Sequence, residues 1–553
     1  MKILLIALLI NLLPYTTFSQ TTDIIKAEEI NSPLHKKNAG RITFMKGNIP
    51  LAQYKESDFL TTFDLTRKSD LNIRVFMTNS ITNYLHQLAP DLPPGELIKS
   101  GNFQFSFSVD GKFIYKENMH YGCNFGGAAN KNTATTFRVP FTSTKGEDWW
   151  SLNLWERFKS HGGDEALTDG MHNLTVELRP YVISKDDDKV KIGELIASGQ
   201  LKLNIATPIV TPLEISIQRV KGNDDWEIST AFYDQKKIEA LNTAIATYKL
   251  KEITSIVVVK DGKLLIEEYF NAANSSTLHD TRSVGKSFAS TMMGLAINEG
   301  YIKNEDQTLS SFYNLKEFEN YSIKKGQVKI KDLLTMSSAF DGSDASSDSP
   351  GNEENMYPAD NWVKFTLDLP MDSTKNNGGK WAYFTAGVVL LGDILNQSVP
   401  GGLEKYADEK LFKPLNIRKY QWQYTPQKVA NTAGGLQLSS LSFAKYAELY
   451  QKNGKWKGQQ IIPSAWIDKT FTHQVQLADR DNEFYGYLFW NKTYVHKGKN
   501  YEAYYCAGNG GNQIIVFKDL PVTIVITSKA YNKAYAHPQT DKIVNDYLLP
   551  ALY

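Results

Sequence analysis

Strand-forming patterns stand at both ends of the stretch from Leu213 to the C-terminus, with a different pattern between them. At the front, residues 256–259 and 264–269 flank Asp261-Gly262, a dipeptide suited to the left-handed positions of a tight hairpin turn. At the back, residues 514–517 and 522–527 read as adjacent strands, followed by a terminal helix over 541–548. A helix is expected over 236–248, where Ile238, Leu241, Ala244 and Ile245 share one face. From Arg282 to about Trp466 the chain reads as helices and loops. This arrangement predicts an α/β (α+β) fold in which one antiparallel sheet takes strands from both ends and the helical middle is inserted between its halves.

The preceding residues read as strands. Phe103, Phe105, Phe107 and Val109 alternate with polar residues, Asp110-Gly111 marks a turn, and Phe113 and Tyr115 resume the alternation. The same period of two recurs at Leu71, Ile73 and Val75, at Leu174, Val176 and Leu178, and at Leu201, Leu203 and Ile205. These segments predict a β-sandwich of about 180 residues between Lys26 and Ile205. Pro208 and Pro212 bracket a short apolar linker, and no internal repeat is visible. Nothing in this part gathers catalytic residue types at a recognisable spacing, so it reads as an accessory domain. The expected organisation is a signal peptide over 1–19, a β-rich accessory domain over 20–212 and a second domain over 213–553.

The signal peptide rests on Lys2, on the apolar run 3–13 broken by Asn11, and on Thr17-Phe18-Ser19 before the expected cleavage after Ser19. That run is too short to span a bilayer, and no later stretch is long enough, so the expectation is an exported chain with no integral membrane segment. With 61 Lys plus Arg against 60 Asp plus Glu and no long run of one sign, the chain carries no electrostatic footprint for nucleic acid or an anionic membrane surface. Cys123 and Cys506, the two cysteines, lie far apart in sequence and belong to no metal-ligand pattern.

Several reaction classes lack their motifs. There is no G-x-S-x-G elbow, H-E-x-x-H or P-loop, and the nine histidines show no paired metal spacing. A nucleophile that does not rely on histidine remains, and Ser-x-x-Lys is the candidate pattern. It occurs at Ser283-Lys286, Ser322-Lys325 and Ser442-Lys445, about as often as chance gives, so context must choose. Ser283 opens a helix whose buried stripe is Val284, Phe288, Met292 and Leu295, closed by Gly300. A hydroxyl there lies near the free N–H groups of the first turn, and Lys286 is within reach on the same face. Ser322 sits in a Lys-rich polar stretch, and Lys445 reads equally well as a solvated surface residue.

The segment from Thr281 to Ser290, Thr-Arg-Ser-Val-Gly-Lys-Ser-Phe-Ala-Ser, resembles the nucleophile helix of the beta-lactamase-related serine hydrolases. That family includes class C beta-lactamases, DD-peptidases, esterases and 6-aminohexanoate-dimer hydrolase. Further segments follow in the family's order: 330–338, Trp381-Ala-Tyr-Phe-Thr-Ala-Gly387, Ala433-Gly-Gly-Leu436, Tyr485-Gly-Tyr487 and Ala507-Gly-Asn-Gly-Gly-Asn-Gln513. The resemblance covers about 236–549 and leaves the β-rich domain unmatched. It implies Ser283 as the acylated nucleophile, Lys286 as the cation or base beside it, and Tyr383 as the proton relay. The N–H of Asn509 would join that of Ser283 in an oxyanion hole, and Thr385, Cys506, Ala507, Gly508 and Gly510 would border the substrate. No metal or organic cofactor is implied. Whether Lys286 or Tyr383 takes the serine proton stays open at this point.

Two positions depart from the family pattern. Cys506 stands where a Lys or His usually opens the third motif, which argues against beta-lactamase and DD-peptidase activity, since that cation helps hold a substrate carboxylate. Thr385 replaces the usual Asn and has less reach. Between Ser337 and Val363, moreover, there is no Lys or Arg, while Asp341, Asp344, Asp348, Glu353, Glu354 and Asp360 accumulate. Both features disfavour anionic substrates if this stretch faces the cleft. The expected function is cleavage of a neutral or cationic small-molecule ester or amide, or a peptide-like substrate, through an acyl-enzyme at Ser283. The rivals are a DD-peptidase or beta-lactamase acting on cell-wall-like material, and an inactive binding protein of the same fold.

Overall fold

The computed structural model describes residues 23–66, 69–119, 132–142, 149–183, 189–222, 225–346, 349–477, 480 and 482–553. The expected signal peptide, Cys123 and Asp348 lie outside the described residues. The chain divides into two compact units, Met1–Ala206 and Thr207–Tyr553.

The first unit is built on a nine-stranded sheet. Its main path runs Lys112–Asn118, Gly101–Val109, Gly170–Ile183, Ala197–Ile205, Arg41–Lys46, Leu71–Phe76 and Thr136–Pro140. The Gly101–Val109 and Lys112–Asn118 strands are joined through Asp110 (φ 51°) and Gly111 (φ 80°), whose left-handed conformations match the twist of a tight hairpin. The sheet turns over on itself where Arg41 meets Ser198 in a single parallel pairing. Phe103 therefore stacks on Phe137 at 5.1 Å, and Phe107 lies 5.8 Å from Phe141, although these residues come from opposite ends of the strand order. Where a sandwich of two sheets was expected, the strands form one continuous sheet whose distant members meet through these aromatic contacts. Helices Ile81–Leu88, Pro94–Ser100 and Trp149–Phe158, which the strand reading did not anticipate, bury Leu85, Leu97, Trp155 and Phe158 in the same core.

The second unit carries an eight-stranded antiparallel sheet in the order Lys263–Tyr269, Ile253–Lys260, Val522–Ser528, Asn512–Phe517, Lys499–Gly508, Trp490–His496, Phe484–Tyr485 and Val475–Gln476. Strands from the two ends of the region thus pair as the second and third of the order, Val257 opposite Val525. One sheet face packs on Gln235–Ala246 and the C-terminal helical turns through Ile256, Val258, Ile515 and Ile524. The other packs on Val284–Asn298 and Ser440–Gln451 through Val257, Val259, Ile514 and Val516. Burial on both faces explains why 256–259 is continuously apolar instead of alternating. The edge strand Lys263–Tyr269 is strapped by the segment before it. Gln218 exchanges hydrogen bonds with the Tyr269 backbone, and Glu267 accepts from the N–H groups of Lys221 and Gly222. Glu268, fully buried beside them, accepts from Gln218 N and Asn242 Nδ2, and burial pushes its pKa up to about 7. Among the described residues, no helix is long and apolar enough to cross a membrane.

Candidate active site

Ser283 occupies the N-cap of the Val284–Asn298 helix, at the end of a sharp entry. Upstream, His279–Asp280 pairs with Leu436–Leu438. Arg282 then takes a left-handed conformation (φ 53°), costly for a residue with a side chain and sustained only where neighbours hold it. Here the Tyr531 ring lies 5.0 Å from the Arg282 guanidinium, and the Tyr531 hydroxyl donates to Asp280 O at 2.7 Å.

Lys286 lies one turn on and is 2% exposed. Its Nζ donates to Ser283 Oγ at 2.8 Å and to Ala433 O at 2.6 Å, and it stands 5.2 Å from the centre of the Tyr383 ring. Two glycines allow that carbonyl to approach. A Cβ on Gly285 would lie 3.3 Å from Gly434 Cα, and one on Gly434 would lie 3.1 Å from the Arg282 carbonyl carbon. The Ala433 carbonyl was not among the site residues expected from sequence; the matched Gly-Gly turn was the signal available for it.

The end of the Lys499–Gly508 strand closes the other side. A Cβ on Gly508 would fall 1.8 Å from Thr281 O and 3.2 Å from Ser283 N, so only glycine fits. Next to it, Asn509 is tied down: its carbonyl accepts from Asn512 Nδ2 at 2.8 Å and its Oδ1 from Asn532 N at 2.8 Å. Gly510 (φ 94°) is buried and bridges Ala530.

Tyr383 sits on the turn before the Thr385–Ser398 helix, its ring stacked on Trp490 (5.8 Å, 22°) with Trp381 6.1 Å away. Tyr485 completes this aromatic wall against Trp381 and Trp490; burial holds its phenol well above the ordinary range, which removes it from acid–base work near neutrality. The turn is anchored by Ala382 N donating to Met336 O at 2.9 Å and by Asp344, whose N–H donates to Tyr383 O at 2.8 Å and whose Oδ2 accepts from Thr385 N at 2.8 Å. Burial raises the Asp344 pKa and the Glu353 charge adds to this, while the Thr385 donors and the Lys286 cation pull the other way.

Three expectations need correction. Cys506 is 1% exposed, set against Ser287 of the Val284–Asn298 helix, and burial pushes its thiol up to about 12; it offers no group to a substrate. Ala507 lies on the opposite sheet face, against the cluster around Ile515 and Leu548. Thr385 is 1% exposed at the start of its helix, and the bonds found for Lys286 among the described residues go to Ser283 and Ala433 instead. The other Ser-x-x-Lys pairs do different work. Ser322 Oγ caps Lys325 N, while Lys325 Nζ is buried between the carbonyls of Glu319 and Leu367 and lowered to about 8 by desolvation. Lys445 is buried too, ion-paired with Asp225 at 2.6 Å, against the solvated alternative. Among the described residues, no three His, Cys, Asp or Glu side chains cluster as metal ligands.

A family model described as Beta-lactamase matches residues 252–545, just over half of the chain. Similar solved structures include a Bacillus anthracis protein assigned as a 6-aminohexanoate-dimer hydrolase (18% identity, 61% of this chain and 87% of that one, TM-score 0.48). A family VIII carboxylesterase follows at 13% identity, 59% and 98% coverage and TM-score 0.47. A penicillin-binding protein homologue from Caulobacter crescentus has 13% identity, 58% and 99% coverage and TM-score 0.44. No curated protein matches the chain.

Proposed function

We propose that this chain, which belongs to the beta-lactamase family, is an exported serine hydrolase that cleaves an ester or amide through an acyl-enzyme at Ser283. The observation that carries the reading is the 2.8 Å hydrogen bond between Lys286 Nζ and Ser283 Oγ beneath the Tyr383 ring. A serine hydroxyl is a weak nucleophile until a base accepts its proton. In the proposed first step Ser283 Oγ attacks the substrate carbonyl carbon and its proton passes into the Lys286–Tyr383 pair. The resulting oxyanion would be received by the N–H groups of Ser283 and Asn509; Gly508, which precedes Asn509, comes so near Ser283 N that a Cβ on it would lie 3.2 Å away. Tyr383 returns the proton to the departing oxygen or nitrogen, and water then releases the acyl group by the reverse relay.

Neutral or amine-bearing substrates suit this site better than carboxylate-bearing ones. The position where the family carries a substrate-holding cation is filled by the buried Cys506, and Arg480, which lies over Trp490, is already paired with Glu483. Two isosteric esters differing in a terminal ammonium or carboxylate test this by kcat/KM at low and high salt; preference for the carboxylate would restore the cell-wall reading. The acyl-enzyme itself is tested by intact mass after a fluorophosphonate probe. One adduct is expected on the full chain and none on Ser283→Ala, whose ester turnover falls at least about 10³-fold. An unlabelled, inactive native chain would instead identify a binding protein.

A further inference from the structure

We propose that Asp344 is a positioning residue for this reaction: its carboxylate clamps the turn that carries Tyr383 and supplies the fixed countercharge to the Lys286 ammonium. The inference rests on the roles proposed above for Ser283, Lys286 and Tyr383.

The clamp is made from both sides of Tyr383. The Asp344 N–H donates to the Tyr383 carbonyl and its Oδ2 accepts from the N–H of Thr385, each at 2.8 Å, so the peptide groups before and after Phe384 are fixed by one residue. Its Oδ1 accepts from Glu353 N at 2.9 Å, which in turn fixes the carboxylate. Countercharge is the second part. The acceptors on Lys286 Nζ, Ser283 Oγ and Ala433 O, are both neutral, yet the ammonium is almost completely buried. A buried cation held by neutral oxygens alone is unfavourable unless a carboxylate stands nearby. The Lys286 charge acts on Asp344, whose N–H is bonded to the carbonyl of Tyr383, the residue whose ring centre lies 5.2 Å from Lys286 Nζ. Thr385, at the family's Asn position, does not serve this purpose, and the acidic stretch does so from a different element. The charged and titratable groups facing Asp344 are Lys286, Glu353 and, through Glu353, Tyr357, whose hydroxyl donates to Glu353 Oε2 at 2.8 Å.

The test is Asp344→Asn in the full chain with a p-nitrophenyl ester, because asparagine keeps an acceptor for Thr385 N while it removes the charge and the acceptor used by Glu353 N. We expect kcat to fall about tenfold or more with KM little changed. The high-pH limb of kcat/KM should move down by about one unit, as expected when a carboxylate is removed from beside a cation. Asp344→Glu should recover the position of that limb. Wild-type kcat, or a loss with the limb unmoved, would overturn the inference, the second outcome leaving Asp344 a structural clamp only. Should Asp344→Asn fail to fold, Glu353→Gln decides: removing the like charge favours ionised Asp344, so the low-pH limb should move down, and an unmoved limb overturns the proposal. Fluorophosphonate labelling separates the levels of failure. If the native chain is not labelled at Ser283, the functional reading falls and takes this inference with it. Equal labelling rates and pH dependence for native and Asp344→Asn chains would sink the inference alone.

Discussion

Adding one methyl group at Gly508 should disable the enzyme while leaving it folded. The Cβ of alanine would stand 1.8 Å from Thr281 O, 3.0 Å from that carbonyl carbon and 3.2 Å from Ser283 N. A carbon needs about 3.3 Å from a carbonyl oxygen, so the gap must open by about 1.5 Å. Neither side can yield by rotating a side chain, since the clash is with the backbone that leads into the nucleophile helix. The strand end carrying Asn509 therefore retreats from Ser283. Misplacing a reacting group by about 1 Å costs around 10²-fold, and loss of an oxyanion donor costs about 10²–10³-fold. We expect kcat/KM on a p-nitrophenyl ester to fall by about 10²–10³-fold, mostly in kcat, with an overpacking cost of about 1–3 kcal/mol. Gly95→Ala is the control, because its Cβ would meet nothing within 4 Å. A folded Gly508→Ala chain, verified by thermal melting, that turns over within about threefold of wild type would refute the argument that close backbone approach builds the site.

Tyr383→Phe keeps the stack on Trp490 and removes only the phenol oxygen, so most activity at neutral pH should be lost, whereas Thr385→Ala should cost a modest factor; equal rates for Tyr383→Phe and wild type would leave Lys286 acting alone. Glu268→Gln should stabilise the second unit at pH 8 and have little effect at pH 4.5. The folded pKa of about 7 lies above the ordinary glutamate value of 4.5, so the wild-type stability present below pH 4.5 is lost as pH rises through 7, by up to about 3 kcal/mol. Glutamine escapes that loss, and its amide can donate to Asn242 Oδ1, a buried acceptor with no partner among the described residues. Melting temperatures of both chains across this range check the prediction, and a pH-independent difference would contradict it.

Hairpins were legible wherever an Asp-Gly pair sat between apolar alternations, because the turn demands left-handed residues and the strands demand a period of two. The helices Ile81–Leu88 and Pro94–Ser100 escaped, since each is only about two turns long and too short to show a helical period. At the site, spacing alone could bring Ser283 and Lys286 together, being one helical turn apart. The Ala433 carbonyl could not be read in this way, as a backbone group has no residue signature and owes its place to glycines at 285 and 434. Carrying a motif across fixed the register of 506–508 and not the inward burial of Cys506 or the far-side packing of Ala507. Lys445 looked solvent-compatible because its partner, Asp225, lies 220 positions away. Six acids were visible between 341 and 360, but that Asp344 is the one bonded to the Tyr383 turn depends on a tertiary contact.

Pairing of Ile253–Lys260 with Val522–Ser528 also sets a schedule. During synthesis the nucleophile helix emerges long before the strands that complete the sheet beside it, and Thr281 waits for Gly508. Until then Ile253–Lys260 presents an unpaired edge of strongly β-forming residues, the kind of surface that invites self-association. Contacts this distant in sequence form slowly, and the helical insert must tolerate the delay. A chain halted before residue 508 would hold Ser283 and Lys286 one turn apart with no strand end to face them. The proposed turnover would therefore be acquired last, after the chain's final strands have closed the sheet.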